Sequence, residues 1–284
     1  MGFQASRRTI LALTGTALAW PSLVSATEPL RLGLTPVFLD NDAEVIARLR
    51  AALGEGARRE IVLEQRRTYQ EITGLLLEGA VDAAWTCGYP YLQHEDAFSL
   101  IGVPEWRGKP LYRSYLITGP DDPATSLADL KGGVHAFSDP DSNSGWLVTA
   151  SDLARIGLRV EDFFGRTLFT YGHRNVVRAV AGGLTRSGSV DGYVWEALSV
   201  VEPALTARTK VIHQSELLGF PPFVARTDRL QTEVVEACQT ALLGLGRTTL
   251  GRQALELLQL DGVVPGDPSL FDGIRARMRD LAKL

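Results

Sequence analysis

Basic residues are slightly outnumbered in this chain of 284 residues. It has 29 lysine and arginine residues against 33 aspartate and glutamate residues, and its formal net charge at pH 7 is −4. A nucleic-acid partner would require a basic face, which this balance disfavours. An acidic protein can still bind a small anion, because oriented dipoles in a cleft act independently of the net charge.

Long hydrophobic runs are also lacking, and no segment is long enough to anchor the chain in a membrane. A short apolar stretch follows Arg7 and Arg8 and ends at Val24-Ser25-Ala26, the small-x-small form that signal peptidase prefers. The sequence therefore predicts a signal peptide over residues 1–26, cleaved near Ala26, and a soluble periplasmic protein. The arginine pair suggests twin-arginine export, and Sec export stays open.

Cysteine is scarce, and its two occurrences differ in setting. Cys238 shares one face of a predicted helix with apolar residues, which indicates a core position. Cys87 follows a predicted buried strand and enters a predicted loop. Residues in such different settings rarely have the geometry of a disulfide, so Cys87 is predicted to be a free thiol. No histidine, cysteine and carboxylate residues have metal-ligand spacing, and neither a metal nor a cofactor is predicted.

Strand and helix patterns alternate regularly along the rest of the chain. The first series begins with a strand at residues 30–34 and ends with one at residues 100–103, which predicts a mostly parallel sheet covered by helices. A turn-rich segment follows residues 112–118, and a second series runs from residue 127 to residue 213. Residues 220–225 would return the chain to the first series. The tail from Leu230 is predicted to be helical throughout and to pack on the first lobe.

This order predicts an α/β fold with two lobes, the architecture of a type II-like periplasmic binding protein. Lobe I would comprise residues 27–115 and 221–284, and lobe II residues 116–220. Two hinge crossings would join the lobes, and loops from both would face the cleft between them.

One polar segment is the strongest functional signal. Ser142, Asn143 and Ser144 follow Asp139-Pro140-Asp141 and precede an amphipathic run, so they are predicted at a helix N-terminus. Unpaired N–H groups and hydroxyls at such a position form an anion site without a formal cation. A single capping residue would be the structural alternative, and three polar residues in succession favour the site.

Other candidates lie where predicted strands end. His173 begins a helix directly after a strand, and Asp191 also ends a strand, at the sheet edge where α/β folds bind ligands. Tyr69 opens a helix, and Tyr89 follows Cys87, so that either phenol could donate to an anion. His173 could instead be structural, and Tyr69 could be a packing residue.

Several short motifs carry a resemblance when their order and spacing are taken together. They are Gly33-Leu34-Thr35-Pro36, Gly79-Ala80-Val81-Asp82, Cys87-Gly88-Tyr89-Pro90-Tyr91, Leu127-Ala128-Asp129-Leu130-Lys131-Gly132 and Asp139-Pro140-Asp141-Ser142-Asn143-Ser144-Gly145. Between about residues 30 and 223 the chain resembles the phosphonate, phosphite and phosphate binding proteins of ABC transporters, the PhnD-type family.

The resemblance implies a non-enzymatic, monomeric protein that captures a small oxyanion by lobe closure and delivers it to an ABC permease. It implies that the ligand's oxygens are held by Ser142, Asn143 and Ser144, by His173 and by tyrosines. Some family members use a carboxylate near this position for a ligand's amine or acidic hydroxyl, so Asp191 could accept a hydrogen bond from a protonated oxyanion; a structural role is the alternative.

Cys87 leaves two alternatives open. A thiol is a poor phosphate ligand and a good ligand for trivalent arsenic, and the Cys87 segment is similar to an arsenite-binding branch of the family whose partner is a membrane histidine kinase. The second alternative is an enzyme that uses Cys87 with His173 as a nucleophile pair. No oxyanion hole or third orienting residue is recognisable for such an enzyme, which disfavours this reading.

Overall fold

A computed structural model describes residues 1–2, 28–36 and 43–284 of the chain, in which two β-sheets organise the fold. The predicted signal peptide lies outside these residues apart from its first two. The strands are β1 (Leu30–Leu34), β2 (Ile61–Gln65), β3 (Ala83–Trp85), β4 (Phe98–Glu105), β5 (Leu111–Tyr112), β6 (Ser114–Thr118), β7 (Val134–Phe137), β8 (Arg166–Phe169), β9 (Ser187–Asp191), β10 (Lys210–Gln214), β11 (Leu218–Gly219), β12 (Phe223–Arg226) and β13 (Gly262–Val264).

Helices connect most of these strands and cover the sheets. They are α1 (Ala43–Ala57), α2 (Tyr69–Leu77), α3 (Gly88–Gln93), α4 (Val148–Ala154), α5 (Val160–Phe163), α6 (His173–Ala181), α7 (Gly192–Val201), α8 (Pro203–Thr206), α9 (Glu233–Gly244), α10 (Thr249–Leu258) and α11 (Asp272–Leu281). A π-helical turn, Asn143–Leu147, leads directly into α4. Within the described part of the chain, no helix is long and apolar enough to cross a membrane.

The first sheet has six strands in the order β13-β4-β12-β3-β1-β2. β1 pairs in parallel with β2 and β3, as the alternating pattern predicts. The sheet as a whole is mixed, because β12 inserts antiparallel between β3 and β4, and β13 adds antiparallel to β4. β12 and β13 both come from the part of the chain that returns after the second sheet.

The second sheet has five strands in the order β10-β6-β9-β7-β8, and the chain enters it at Ser114. β7 pairs in parallel with β8 and β9, whereas β6 and β10 pair antiparallel. Each sheet with its helices forms one lobe. The two crossings between the sheets contain β5 and β11, which pair with each other as a two-stranded antiparallel ribbon.

Two expectations from the sequence need correction. The segment after Cys87 forms the short helix α3 instead of a loop. The tail is not helical throughout, because β13 pairs with β4, and it does not pack on one lobe alone. α9 and α10 lie against α1 of the first lobe, whereas α11 lies against α4 of the second lobe. The division of the chain at residues 115 and 220 stays a prediction; β6, which it splits, pairs within the second sheet from Ser114 onward.

Apolar side chains form the core around both sheets. Leu32 and Ile72 are buried in the first lobe, and Phe137 and Leu153 in the second. The carboxyl ends of β3, β7, β8 and β9 point to the seam, since Cys87, Ser138, His173 and Asp191 follow or end these strands and meet there. The candidate residues therefore lie in a buried, polar seam between the two lobes.

Candidate functional site

The polar segment after β7 is built as a capped helix start. Asp139 begins it, because its Oδ1 accepts from the Asp141 amide at 2.8 Å and its carbonyl accepts from the Ser142 amide at 3.0 Å. Ser142 is the N-cap, and its hydroxyl accepts from the Gly145 amide at 2.9 Å. The hydroxyl of Ser142 thus satisfies one of the orphan helix amides. Its predicted contact with a ligand stays a prediction.

Three buried side-chain oxygens beside this cap have no hydrogen-bond partner among the described residues: Ser138 Oγ, Asn143 Oδ1 and Ser144 Oγ. All three residues are at most 1% exposed. A buried hydroxyl without a partner costs free energy, so these groups are expected to gain a partner that the protein itself does not supply. Two are serine hydroxyls, which can donate to an anion.

Gly145 permits this arrangement. A Cβ atom built on Gly145 would lie 1.8 Å from Ser138 Oγ and 3.0 Å from the Cε1 atom of His173. Any side chain at this position would therefore displace the Ser138 hydroxyl or the imidazole. The helix start, Ser138 and His173 consequently form one compact group on the second lobe.

His173 has both ring nitrogens engaged, and the geometry determines its tautomer. The backbone N–H of Asp191 donates to His173 Nδ1 at 3.0 Å, so Nδ1 carries no proton. The neutral ring then holds its proton on Nε2, which lies 3.2 Å from the hydroxyl of Tyr69. Burial lowers the pKa of His173 to about 3, which keeps the ring neutral. His173 therefore takes part in the site as a neutral donor through Nε2.

Tyr69 is the group that reaches across from the first lobe. It is the first residue of α2, behind a capping box in which Thr68 and Glu71 bond reciprocally. Its amide donates to Asp139 Oδ2 at 3.2 Å, and its side chain is 1% exposed. Because His173 Nε2–H donates to the phenol oxygen, the hydroxyl hydrogen of Tyr69 is available for another acceptor.

Cys87 lies in the same seam. Its Sγ accepts from the backbone N–H of Asn143 at 3.3 Å, and it is an unpaired, buried thiol, as the sequence predicts. Burial raises its pKa to about 11, although the amides of Tyr89 and Asn143 favour the thiolate. Cys238 is buried in α9, in agreement with its predicted core position.

Tyr112 is a site neighbour that the sequence does not reveal. Its hydroxyl accepts from Asn143 Nδ2 at 2.8 Å and lies near the hydroxyl of Ser144. The residue is fully buried, in the hinge ribbon. In the sequence, Tyr112 stands directly before the predicted first crossing, which could have indicated a position near the cleft. An aromatic residue in a short apolar strand is, however, normally interpreted as core.

Asp191 occupies a supporting position. Its Oδ1 caps α7 by accepting from the amides of Tyr193 at 2.9 Å and Val194 at 3.3 Å. Burial raises the pKa of the carboxyl to about 7, although these two amides oppose the shift. Asp191 holds His173 through its backbone, and a contact between its carboxyl and a ligand stays a prediction.

Tyr89 lies apart from this group. It is only half-buried, at the edge of the seam near Gln93 of its own helix and Asp141 of the second lobe. The structure brings together the other candidates: Tyr69, Cys87, Ser142, Asn143, Ser144, His173 and Asp191. Ser138, which as a turn residue is a weaker candidate from the sequence, and Tyr112 lie with them.

The assembled group is rich in neutral donors and contains no lysine or arginine. Among the described residues, Arg277 is the one buried basic residue, and its bonds lie elsewhere. Hydroxyls and helix amides can hold a desolvated anion without such a charge. A nucleophile pair is disfavoured, because both nitrogens of His173 are engaged elsewhere and the raised pKa keeps Cys87 as a thiol.

Comparison with known proteins identifies the family of this fold and site. Residues 32–271 match the family model described as "ABC transporter, phosphonate, periplasmic substrate-binding protein". The chain belongs to this family. The family model describes substrate-binding proteins, and the resemblance inferred from the short motifs is confirmed.

Solved structures show the same fold at low sequence identity. A binding protein component of an ABC phosphonate transporter from Pseudomonas aeruginosa is 22% identical, with a TM-score of 0.81, and the match covers 89% of this chain and 87% of that one. PhnD1 from Prochlorococcus marinus, solved with methylphosphonate, is 18% identical, with a TM-score of 0.77 and coverages of 90% and 99%. The aliphatic sulphonate binding protein of Escherichia coli is 17% identical, with a TM-score of 0.58 and coverages of 90% and 91%.

Proposed function

We propose that this protein is an extracytoplasmic solute-binding protein that captures a small oxyanion of the phosphonate, phosphite or phosphate class. Lobe closure would bury the anion, and an ABC permease would receive it. The observation that carries the proposal is the pair of buried hydroxyls, Ser138 and Ser144, that have no partner among the described residues. They lie beside Gly145 at a helix start, where N–H groups also favour negative charge.

The contacts across the seam support capture by closure. Tyr69 meets His173 at 3.2 Å, and Cys87 and Tyr112 meet Asn143 at 3.3 and 2.8 Å. The contacts of Tyr69 and Cys87 join the first lobe to the second, and that of Tyr112 joins the hinge ribbon to the second lobe, so an anion held beneath them would be closed off from water. Charge-assisted hydrogen bonds are strongest in such a site, because the local dielectric constant is low.

The compact seam also favours a small ligand. Side chains of both lobes touch directly around the two serines, and these residues are almost fully buried. The proposal is therefore an oxyanion with a hydrogen, hydroxyl or methyl substituent in preference to one with a bulky group. Export to the periplasm through the predicted signal peptide belongs to the same proposal.

The test is a binding panel on the mature protein under reducing conditions. Phosphate, phosphite, methylphosphonate, 2-aminoethylphosphonate and arsenite are each assayed by thermal shift and calorimetry. A ligand present at about 100 times its dissociation constant stabilises the folded state by about 2.7 kcal/mol. We expect stabilisation by at least one small phosphorus oxyanion. Stabilisation by none of them would refute the proposed ligand class.

Cys87 supports a second candidate, an arsenite-binding partner of a sensor kinase. Its thiol lies in the seam, 3.3 Å from the Asn143 amide. Arsenous acid would condense with the thiol to form one As–S bond and release one water molecule. The raised pKa of Cys87 opposes this reaction, because the thiolate is the reactive form.

The variant Cys87→Ala separates the two candidates within the same panel. Binding of a phosphorus oxyanion that survives the substitution supports the transport protein. Stabilisation by arsenite alone, abolished by the substitution, supports the sensor partner. Delivery to a permease is tested separately, as loss of uptake of the identified anion by cells that lack this protein.

A further inference from the structure

Arg277 of α11 is a buried arginine, 2% exposed, whose guanidinium makes several hydrogen bonds. It lies far along the sequence from the proposed ligand contacts. Its guanidinium donates to Glu216 through Nε and Nη2, at 2.8 and 2.5 Å. Its Nη1 donates to the Val148 carbonyl at 3.1 Å and to Ser151 Oγ and Asp152 Oδ1, both at 2.8 Å.

These bonds join three separate segments. Arg277 belongs to the C-terminal helix, Glu216 to the crossing that returns to the first lobe, and residues 148–152 to α4. α4 continues the π-helical turn that starts at Asn143. Arg277 therefore hydrogen-bonds to the same helical segment whose beginning forms the proposed anion site. A planar fork with five donors fixes the relative positions of its acceptors, which a flexible ammonium group would not do.

A second chain of bonds runs from the crossing to the site itself. The residue next to Glu216 is Ser215, whose hydroxyl accepts from the Ser114 amide at 2.9 Å. Ser114 Oγ in turn donates to the carbonyl of Ser144 at 2.6 Å. The crossing held by Arg277 therefore also holds the backbone of the residue that presents one of the two unpartnered hydroxyls.

The C-terminal helix contacts the other side of the site as well. A Cβ atom built on Gly88, the residue after Cys87, would lie 2.6 Å from Ile274 Cδ1. The Tyr91 ring of α3 packs edge-on against Phe271, with ring centroids 5.1 Å apart. α11 thus packs between the start of α3, which follows Cys87, and the helical segment that contains Ser144.

We propose that Arg277 is a positioning residue for the anion site, and that α11 sets the ligand affinity without touching the ligand. This inference rests on the proposed function. The bonds of Arg277 hold α4 and the return crossing in the one arrangement that brings Ser144 and Cys87 together. Burial of an arginine is tolerated only where its partners are well placed, so loosening any one segment is unfavourable.

The test compares two arginines on the same helix. Arg277→Met removes the bonds to Glu216 and α4. The control Arg275→Met removes an equal charge from a side chain whose ion-pair partners, Glu95 and Asp272, both lie outside the second lobe. Dissociation constants are measured for the phosphorus oxyanion that binds the wild-type protein most tightly. Dissociation rates are measured by stopped-flow tryptophan fluorescence.

We expect Arg277→Met to weaken binding roughly tenfold, mainly through faster dissociation, and Arg275→Met to change it less than twofold. Arg277→Lys should recover part of the affinity. A folded Arg277→Met protein with wild-type affinity would overturn the proposal, as would an equal loss in both methionine variants. If Arg277→Met does not fold, Asp152→Asn decides instead, with an expected loss of roughly threefold.

Hydrogen exchange keeps this result separate from the proposed function. If the bonds of Arg277 hold α4 in place, amide exchange at residues 143–148 of the ligand-free protein should be faster in Arg277→Met and unchanged in Arg275→Met. That readout holds even if the wild-type protein binds none of the phosphorus oxyanions, which would refute the ligand class alone. Unchanged exchange at these amides in Arg277→Met would refute the positioning role.

Discussion

The two sides of the seam present different chemistry. The second lobe contributes hydroxyls, helix amides and a neutral imidazole, all placed where strands β7, β8 and β9 end. The first-lobe side, made of the first lobe and the hinge ribbon, contributes two phenols and a thiol: Tyr69 at the start of α2, Cys87 after β3 and Tyr112 in the ribbon. Most groups that can donate to an anion lie on one side, and the other side supplies groups that reach across.

This asymmetry suggests a division of labour. Ser138, Ser144 and the helix start are held by contacts within the second lobe, such as the bond from Ser114 to the Ser144 carbonyl. They can form the primary anion contact before closure. Tyr69 meets His173 only when the lobes meet, so the first lobe is expected to control how long a ligand stays bound. Closure of this kind, around a ligand seated on one lobe, is a hinge motion.

The largest expected effect comes from the second-lobe hydroxyls. In the double variant Ser138→Ala/Ser144→Ala, both unpartnered hydroxyls are removed. A hydrogen bond to a charged group contributes about 1.5–3 kcal/mol, so binding is expected to weaken by roughly 10² to 10⁴-fold. The free energy of unfolding without ligand should change little, because neither hydroxyl has a hydrogen-bond partner among the described residues. Calorimetry and urea unfolding measure the two quantities.

Thr118→Val is the matched control for that variant. Its hydroxyl is also buried without a partner among the described residues. Thr118 pairs with Ser187 at the start of β9, whereas the site lies at the Asp191 end of that strand, about 13 Å away. Equal losses of affinity in the control and in the serine variant would show that the two serines are not ligand contacts.

The next effect tests the first-lobe side. Tyr69→Phe keeps the ring and removes the hydroxyl that meets His173 at 3.2 Å. Loss of one charge-assisted hydrogen bond is expected to weaken binding roughly tenfold, and chiefly by faster dissociation. Tyr91→Phe is the control, since Tyr91 is a buried phenol of the same lobe that packs on Phe271. A slower association rate with unchanged dissociation in Tyr69→Phe would contradict the proposed division of labour.

A smaller effect is expected for Tyr112→Phe, which leaves Asn143 Nδ2 without its partner. An unsatisfied buried donor costs about 1–3 kcal/mol, part of which the open form avoids, so affinity should fall roughly threefold to tenfold. In a cycle with Asn143→Ala, the second substitution should add little to the first, because both remove the same bond. Fully additive losses would show that the Tyr112–Asn143 bond does not couple the hinge ribbon to the second lobe. Dissociation constants of the four proteins complete the cycle.

The same asymmetry limits what the sequence can predict. On the second-lobe side, each candidate follows a predicted strand, and the carboxyl ends of neighbouring parallel strands meet at one edge. Ser142, Asn143, Ser144, His173 and Asp191 were therefore identifiable as a group from one sequence. The approach of Ser138 depends on Gly145, which no local pattern reveals.

On the first-lobe side, side-chain direction depends on long-range packing. Tyr112 bonds to Asn143, 31 positions away, through an orientation fixed by the hinge ribbon. Tyr89 and Tyr91 lie on the unpredicted helix α3, which buries Tyr91 against Phe271 and leaves Tyr89 at the edge. The position of α11 against the second lobe depends on Arg277, whose partner segments lie at residues 148–152 and at Glu216.

The last prediction concerns the free energy of unfolding instead of ligand affinity, and it rests on Asp191, which supports the second-lobe side through its backbone. An aspartate in an unfolded chain has a pKa near 3.9, and burial raises that of Asp191 to about 7. Between these values the folded state binds more protons at this site than the unfolded state. The contribution of Asp191 to the free energy of unfolding therefore falls as pH rises from about 4 to 7, and it is constant above that window.

Asp191→Asn isolates this contribution, because the amide oxygen can still accept from the amides of Tyr193 and Val194. The lowered pKa values of His135 and His173 produce the opposite slope below pH 6.5, and they cancel when variant and wild type are compared. Urea unfolding between pH 4.5 and 8.5 should show the variant more stable at high pH, with a gap that closes on acidification. A gap independent of pH would mean that Asp191 stays charged in the folded protein across this whole range, including below pH 7. The second-lobe side would then hold a buried negative charge beside the proposed anion, and the neutral-donor description of the site would fail.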